Sequence, residues 1–202
     1  MNAQPPRSTA TDRRPLVIGK AVECFAARGW AGTTYADVAA AAGISPAYVV
    51  KLFPTKEQLF VAALNNCFHR IEQTLLEVAS TASGEPEAVL DRMGDAYAHL
   101  IADRPVLMMQ VHAQSAAAIP AIGEALGRGL EHLTMLVSTS TGADDAAVQR
   151  FMAYGQLCHL IVTTRIDQLE TPWARLLTNG MHTTRRPLAD RRDRAQAKRT
   201  VG

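Results

Sequence analysis

The sequence is short of the residues that build sheets: aromatics make up 5% of its 202 residues, and runs that alternate apolar with polar positions are brief. Cysteine is scarce as well. The three that occur, Cys24, Cys67 and Cys158, are odd in number, far apart and set in apolar helical patterns, which argues against a disulfide framework and for a reducing cytoplasm. Nowhere do about eighteen apolar residues run without interruption, and the first fourteen residues are polar and proline-containing, without a basic start followed by an apolar stretch. Neither export nor membrane insertion is expected. His69, His99, His112, His132, His159 and His182 are scattered, with no i, i+4 pairing beside a carboxylate and no cysteine spacing of a metal site. A glycine-rich phosphate loop and a Gly-x-Ser-x-Gly elbow are missing too, so the sequence predicts no enzyme, no cofactor and no metal.

What is present is a chain long enough to bury a substantial core and with a charge distribution that its net +2 conceals. Residues 1–60 carry seven Lys/Arg against four Asp/Glu, a charge of +3; residues 61–184 carry seven against thirteen, −6; residues 185–202 carry seven against two, +5. A basic head attracts a polyanion that an acidic middle repels, which points to the head as a nucleic-acid surface. The basic tail, with Arg185, Arg186, Arg191, Arg192, Arg194, Lys198 and Arg199, is read either as a nonspecific aid to DNA binding or as a solvated end.

Apolar positions recur at helical spacing throughout, and the whole chain reads as helices. A first helix is predicted from about Pro15, with Ile18, Ala21, Val22 and Phe25 on one face and Gly29 as a left-handed stop. Thr34 and Asp37 form a capping-box pair for a second helix that ends at Gly43. Ser45 then caps, and Pro46 opens, a third short helix reaching about Phe53. After Pro54, the stretch from Thr55 to Gln58 supplies another capping box for a long fourth helix, with Phe60, Leu64, Cys67, Phe68, Ile71, Leu75 and Val78 facing inward. Further helices are predicted at about 86–102, 105–117, 120–139, 144–166 and 172–182, punctuated by glycine and proline. The fold class is therefore all-α: a three-helix helix-turn-helix domain at 14–60 and a helical bundle at 61–184, flanked by a flexible arm at 1–13 and the tail at 185–202.

Two short helices meeting at a glycine turn, residues 35–53, suit a helix-turn-helix, in which the second helix enters the major groove. A plain helical hairpin inside a bundle is the alternative. Small Ala39, Ala40, Ala41 and Ala42 allow close approach, while Ile44, Val49 and Phe53 can lock the pair to the first helix. Ser45, Tyr48 and Lys51 fall three residues apart on the opposite side, where hydroxyl and ammonium groups can meet bases or phosphates. An ordinary solvated face would look the same. Lys56 adds charge at a helix N-terminus, a combination suited to phosphate.

The stretch Gly29 to Leu59, GWAGTTYADVAAAAGISPAYVVKLFPTKEQL, resembles the N-terminal domain of the TetR family of bacterial repressors. The resemblance lies in the Gly-aromatic turn, the paired threonines, the Ala-x-x-Ala-Gly-Ile-Ser turn, the terminal phenylalanine and the Lys-Glu-x-Leu start of the fourth helix. It covers the first third of the chain; beyond that, the likeness is in helical character and in the Pro-Trp-Ala-Arg-Leu-Leu close. It implies that Thr33, Thr34 and Tyr35 touch phosphates and that Ser45, Pro46, Ala47, Tyr48 and Lys51 face the groove of double-stranded operator DNA. One departure stands out: Val50-Lys51-Leu52-Phe53 replaces the Tyr-x-His-Phe common in the family, so the operator sequence does not carry over.

A single reading helix covers one half-site, so DNA binding of this kind calls for a homodimer. Val148, Phe151, Met152, Gly155, Cys158, His159 and Val162, followed by Trp173, Leu176 and Leu177, form the expected interface, although such stripes also build monomeric cores. Met93, Tyr97, Leu100, Leu107, Met108, Val111, His112 and Gln114 are candidates to line a cavity for a small apolar or drug-like effector. Methionines at helical spacing also serve as plain core. The function expected is a cytoplasmic DNA-binding repressor released by that effector. A regulator without a small effector, and a helical enzyme or interaction bundle with an incidental helix-turn-helix, are the rivals.

Overall fold

A computed structural model describes residues 10–179, with side chains from residue 13 onward; the predicted arm up to residue 9, the tail at 185–202 and His182 lie outside the described residues. Among the described residues the chain folds as helices without strands: α1 Ala10–Gly32, α2 Tyr35–Ala42, α3 Pro46–Leu52, α4 Lys56–Thr81, α5 Pro86–Ile101, α6 Arg104–Ser115, α7 Pro120–Thr141, α8 Asp145–Thr164 and α9 Pro172–Thr178, with a 3-10 turn at Ile166–Gln168 between the last two. No helix among them is long and apolar enough to cross a membrane.

Local chemistry sets most of these boundaries. Proline stands in the first turn of α3, α5, α6, α7 and α9, where its missing N–H costs no intrahelical bond. At the N-terminus of α2, Asp37 N–H donates to Thr34 Oγ1 at 3.2 Å and Thr34 N–H to Asp37 Oδ2 at 2.8 Å, the reciprocal pair expected from the sequence. At α4 the Thr55 half of the predicted box forms, with Gln58 N–H donating to Thr55 Oγ1 at 3.2 Å. Gly43 closes α2 in the left-handed region, φ 64° and ψ 36°, a conformation that costs glycine little.

The first helix departs from expectation at both ends. It begins at Ala10, so the predicted arm is helical from there and Pro15 lies inside the helix rather than in its first turn. Gly29 does adopt a positive φ of 68°, but its ψ of −176° is extended rather than left-handed helical. The chain therefore kinks and makes one more turn to Gly32. That turn carries Trp30 back onto the core, with ring centroids 6.4 Å from Phe25 and 5.6 Å from Phe60.

α4 is the axis of the molecule, packed by α1, α5, α6 and α7. Its expected inward residues Phe60, Leu64, Cys67, Phe68, Ile71 and Leu75 are buried, and Val78 is half-buried. A continuous apolar cluster runs from Val17 on α1 to Val148 on α8. The boundary proposed at residue 60 thus falls inside α4, which belongs to both halves. α7 lies so close to α4 that a Cβ built on Gly129 would fall 2.3 Å from the Phe68 ring.

Candidate nucleic-acid interface and effector cavity

α3 is a two-turn rod about 10 Å long, held from one side. Val49 and Phe53 are buried and Ile44 packs beside them, while Ser45, Pro46, Ala47, Val50 and Lys51 are exposed and Tyr48 is half-buried. The polar edge read from sequence is therefore open to a partner. Ser45 caps the rod by accepting from Tyr48 N–H at 3.3 Å, leaving its own hydroxyl proton available. The rod's far end is tied down by Arg14, whose Nη1 donates to Leu52 O at 2.9 Å and whose guanidinium carbon lies 4.2 Å from the centre of the Phe53 ring. Arg14 was not legible as part of this site, because Leu52, whose carbonyl it holds, is 38 positions away.

The Thr-Thr-Tyr run differs from what the resemblance implies. Thr33 is fully buried, and its hydroxyl reaches Gly29 O at 2.9 Å and Cys24 O at 3.1 Å. Its side chain braces the α1 kink and has no path to a phosphate, which corrects the expectation. Thr34 donates its hydroxyl proton to Asp37 at 2.7 Å, and Tyr35 donates its own to Phe53 O at 3.0 Å, closing α2 onto the end of α3. Burial raises the Tyr35 phenol above its ordinary value. All three hydroxyl protons are thus committed inside the protein, and what this corner offers a phosphate is the free backbone N–H groups at the start of α2. Hydrogen bonds from Thr34, reinforced by Arg28 at 2.8 Å, hold the Asp37 carboxyl below the usual range. Lys56 is half-buried with its ammonium 4.6 Å from the Trp30 ring, a cation–π contact that anchors the charge beside α3.

Farther along the chain a cavity of about 430 Å³ opens, walled chiefly by α5 and α8 with side chains from α4, α6 and α7. That volume lies in the range of small-molecule sites. Of the eight residues predicted to line such a site, Tyr97 does so. Met93 and Leu107 are sealed in the core, and Leu100, Met108 and Val111 are half-buried elsewhere. Gln114 is exposed and donates to Gln156 at 2.8 Å. His112 packs on the backbone of Gly29, where a Cβ would come within 3.0 Å of its Nδ1. The pattern failed because helical periodicity identifies an inward face without distinguishing solid core from the wall of a void.

Four residues expected at a dimer interface, Phe151, Met152, Gly155 and Cys158, line this cavity. Val148 and His159 are buried, Val162 and Leu177 half-buried, and Leu177 packs on a small cluster of Ile161, Ile166 and Ala174. Of the expected interface residues, Trp173 and Leu176 are the exposed ones, at 51% and 80%. Inside the protein His159 Nε2 pairs with the Tyr97 hydroxyl at 2.5 Å, while His159 Nδ1 is buried without a hydrogen-bond partner. Burial pushes the His159 imidazole down to about 4 and the Tyr97 phenol well up. Gln110, which sequence reasoning missed, joins the wall as a buried amide. Burial also raises the Cys158 thiol, so it is a neutral, poorly nucleophilic part of the wall. Among the described residues no three His, Cys, Asp or Glu side chains gather as a metal site requires.

A short helix exposed along one edge behind a glycine turn, joined through a long helix to a bundle with a cavity, is a helix-turn-helix arrangement on an all-helical fold. Residues 17–63, which hold most of α1, all of α2 and α3 and the start of α4, match the sequence profile of bacterial regulatory proteins of the tetR family. A search of the curated proteins finds no match. Among solved structures the chain is similar to a transcriptional regulator from Pseudomonas aeruginosa PAO1, at 17% identity and a TM-score of 0.64 over 96% of each chain. It is also similar to a TetR-like regulator from Rhodococcus sp. RHA1, at 20% identity and a TM-score of 0.63 over 86% of this chain and 96% of that one. A third is the regulator FadR from Bacillus subtilis in complex with stearoyl-CoA, at 16% identity and a TM-score of 0.64 over 83% and 99%. At these identities the likeness is one of fold.

Proposed function

We propose that the chain is a homodimeric cytoplasmic repressor that holds a palindromic operator through one α3 from each copy and releases it when a small molecule fills the cavity. The observation that carries this reading is the two-sided character of α3, buried at Val49 and capped by buried Phe53 but open at Ser45, Pro46, Ala47 and Lys51. In this arrangement Ser45, Tyr48 and Lys51 meet the groove, while Lys56 and the α2 amides meet phosphates. The exposed apolar groups Leu160, Leu169, Trp173 and Leu176, between 41% and 80% accessible, supply a face for a second copy, an arrangement that sets the two rods one DNA turn apart.

An effector acts by favouring a state in which that spacing is lost. The cavity walls include Ile71 and Leu75 of α4 and Gln110 of α6, and α4 and α6 both pack on α1. Movement of the wall therefore has a short mechanical route to the DNA-binding end, through contacts such as His112 on Gly29. A preference of about 1–3 kcal/mol for the non-binding state weakens operator affinity roughly 5- to 150-fold, and bound operator weakens effector binding by the same factor. The rival reading, a regulator with no small effector, is favoured by a solid C-terminal core; the cavity speaks against it.

Selection of bound sequences from random duplex DNA tests the reading. It is expected to return an inverted repeat with half-site centres about one helical turn apart. Enrichment of a single unrepeated site, or no enrichment, contradicts it.

A further inference from the structure

The charge pattern of the cavity wall specifies a class of ligand, an inference that rests on the cavity being the effector site. Glu87, Asp91 and Asp95 on α5 fall four residues apart and all reach the wall, so they follow one another along a single ridge at about 6 Å per step. Among the described residues Arg150 of α8 is the one cationic side chain of the lining, and it stands 3.6 Å from Glu87. Three carboxylates against one guanidinium give the described wall a formal charge of −2. Tyr97 of α5 and Phe151 and Tyr154 of α8 supply aromatic rings to the same space, and ring faces attract cations. Glycines keep room between these groups: a Cβ on Gly94 would meet nothing within 4 Å, and one on Gly155 would find its nearest neighbour, Tyr97 Cε1, at 3.7 Å.

An anionic head group entering this site exchanges water for like charges, Glu87 and Asp91 exposed at its rim and Asp95 half-buried deeper along the ridge, where screening is weaker than in bulk solvent. A positively charged nitrogen gains both from the carboxylate ridge and from the rings. We infer that the cavity takes an organic cation, an ammonium group on an apolar body, and discriminates against fatty acids and acyl thioesters of coenzyme A.

Calorimetric titration of the full chain with octyltrimethylammonium, octanoate and 1-octanol, which share one tail, tests this. The cation is expected to bind roughly tenfold or more tightly than octanoate, a difference of about 1.4 kcal/mol. Asp91→Asn is expected to weaken the cation about three- to fivefold while leaving octanol unchanged. Gly94→Phe, checked for retained helicity by circular dichroism, is expected to abolish binding by occupying the void. Octanoate or octanol binding as tightly as the cation, yet blocked by Gly94→Phe, overturns the ligand class and leaves the effector site standing. An unchanged preference for the cation in Asp91→Asn also overturns it. Failure of all three probes to bind the wild type overturns both readings.

Discussion

The proposed DNA-binding corner and the proposed effector cavity are held together over different distances along the chain. Around α2 and α3 the caps join Thr34 to Asp37, Ser45 to Tyr48 and Thr55 to Gln58, each three residues apart, and two longer ties, Tyr35 to Phe53 and Arg14 to Leu52, span 18 and 38 residues. At the cavity the bonds join Tyr97 to His159 and Gln114 to Gln156, 62 and 42 residues apart. A site whose helix ends are fixed by local bonds, and whose longer ties stay within α1 to α3, keeps its shape when the bundle shifts, whereas one built from α5 and α8 changes shape when they move. That division suits a protein in which the cavity moves and the reading rod is carried as a unit.

The largest effect expected from breaking the local side is at Phe53, which is buried at the end of α3 and capped by Arg14. Phe53→Ala is expected to cost about 3–5 kcal/mol in thermal unfolding and to weaken operator binding with it. An unchanged melt would remove the anchor from the account of α3.

The distant side is sharpened by acid. His159 has an ordinary value of 6.5 and about 4 when buried in the fold. Above pH 6.5 neither the folded nor the unfolded chain protonates it. Between these values the unfolded chain takes up the proton and the folded one does not, so stability falls as pH falls, levelling off near pH 4 after a loss of about 3 kcal/mol. His159→Gln is expected to flatten this limb in melts recorded from pH 7 to pH 4. An identical limb in the variant would assign it to other groups.

Gly129→Ala tests how tightly α7 closes on α4. Alanine normally improves a helix by about 1 kcal/mol over glycine, but here its Cβ meets the Phe68 ring. A net loss of roughly 1–3 kcal/mol in urea unfolding is expected; a gain would show that the ring moves aside freely. The smallest effect is at Thr34. Thr34→Ala is expected to cost about 1 kcal/mol, and combined with Asp37→Ala less than the sum of the two, because they share one cap. Additive costs would break that coupling.

The same contrast decides what the sequence made legible. Prolines, Thr34, Ser45 and Gly43 act on their immediate neighbours, so the order of helices and the α2–α3 turn could be read directly. The resemblance places Thr33 and Tyr35 on phosphate, whereas their hydroxyls turn inward, Thr33 to Gly29 across the α1 kink and Tyr35 to Phe53, 18 residues away, and neither the kink nor the longer contact is legible in the sequence. The cavity was harder still, since Phe151, Met152, Gly155 and Cys158 form an apolar stripe that fits an interface as well as a wall. The spacing of Glu87, Asp91 and Asp95 was a usable signal, a charged ridge on a helix whose other face is core. Its meaning depended on α8 standing opposite.

Operator affinity measured across a salt series for wild type and Lys51→Ala bears most directly on the claim that α3 docks on DNA. Wild-type affinity is expected to fall steeply as salt rises. The variant is expected to bind more weakly, with a slope of log affinity against log salt that is shallower by about one. A wild type indifferent to salt, or a variant matching it in affinity and slope, would contradict the account.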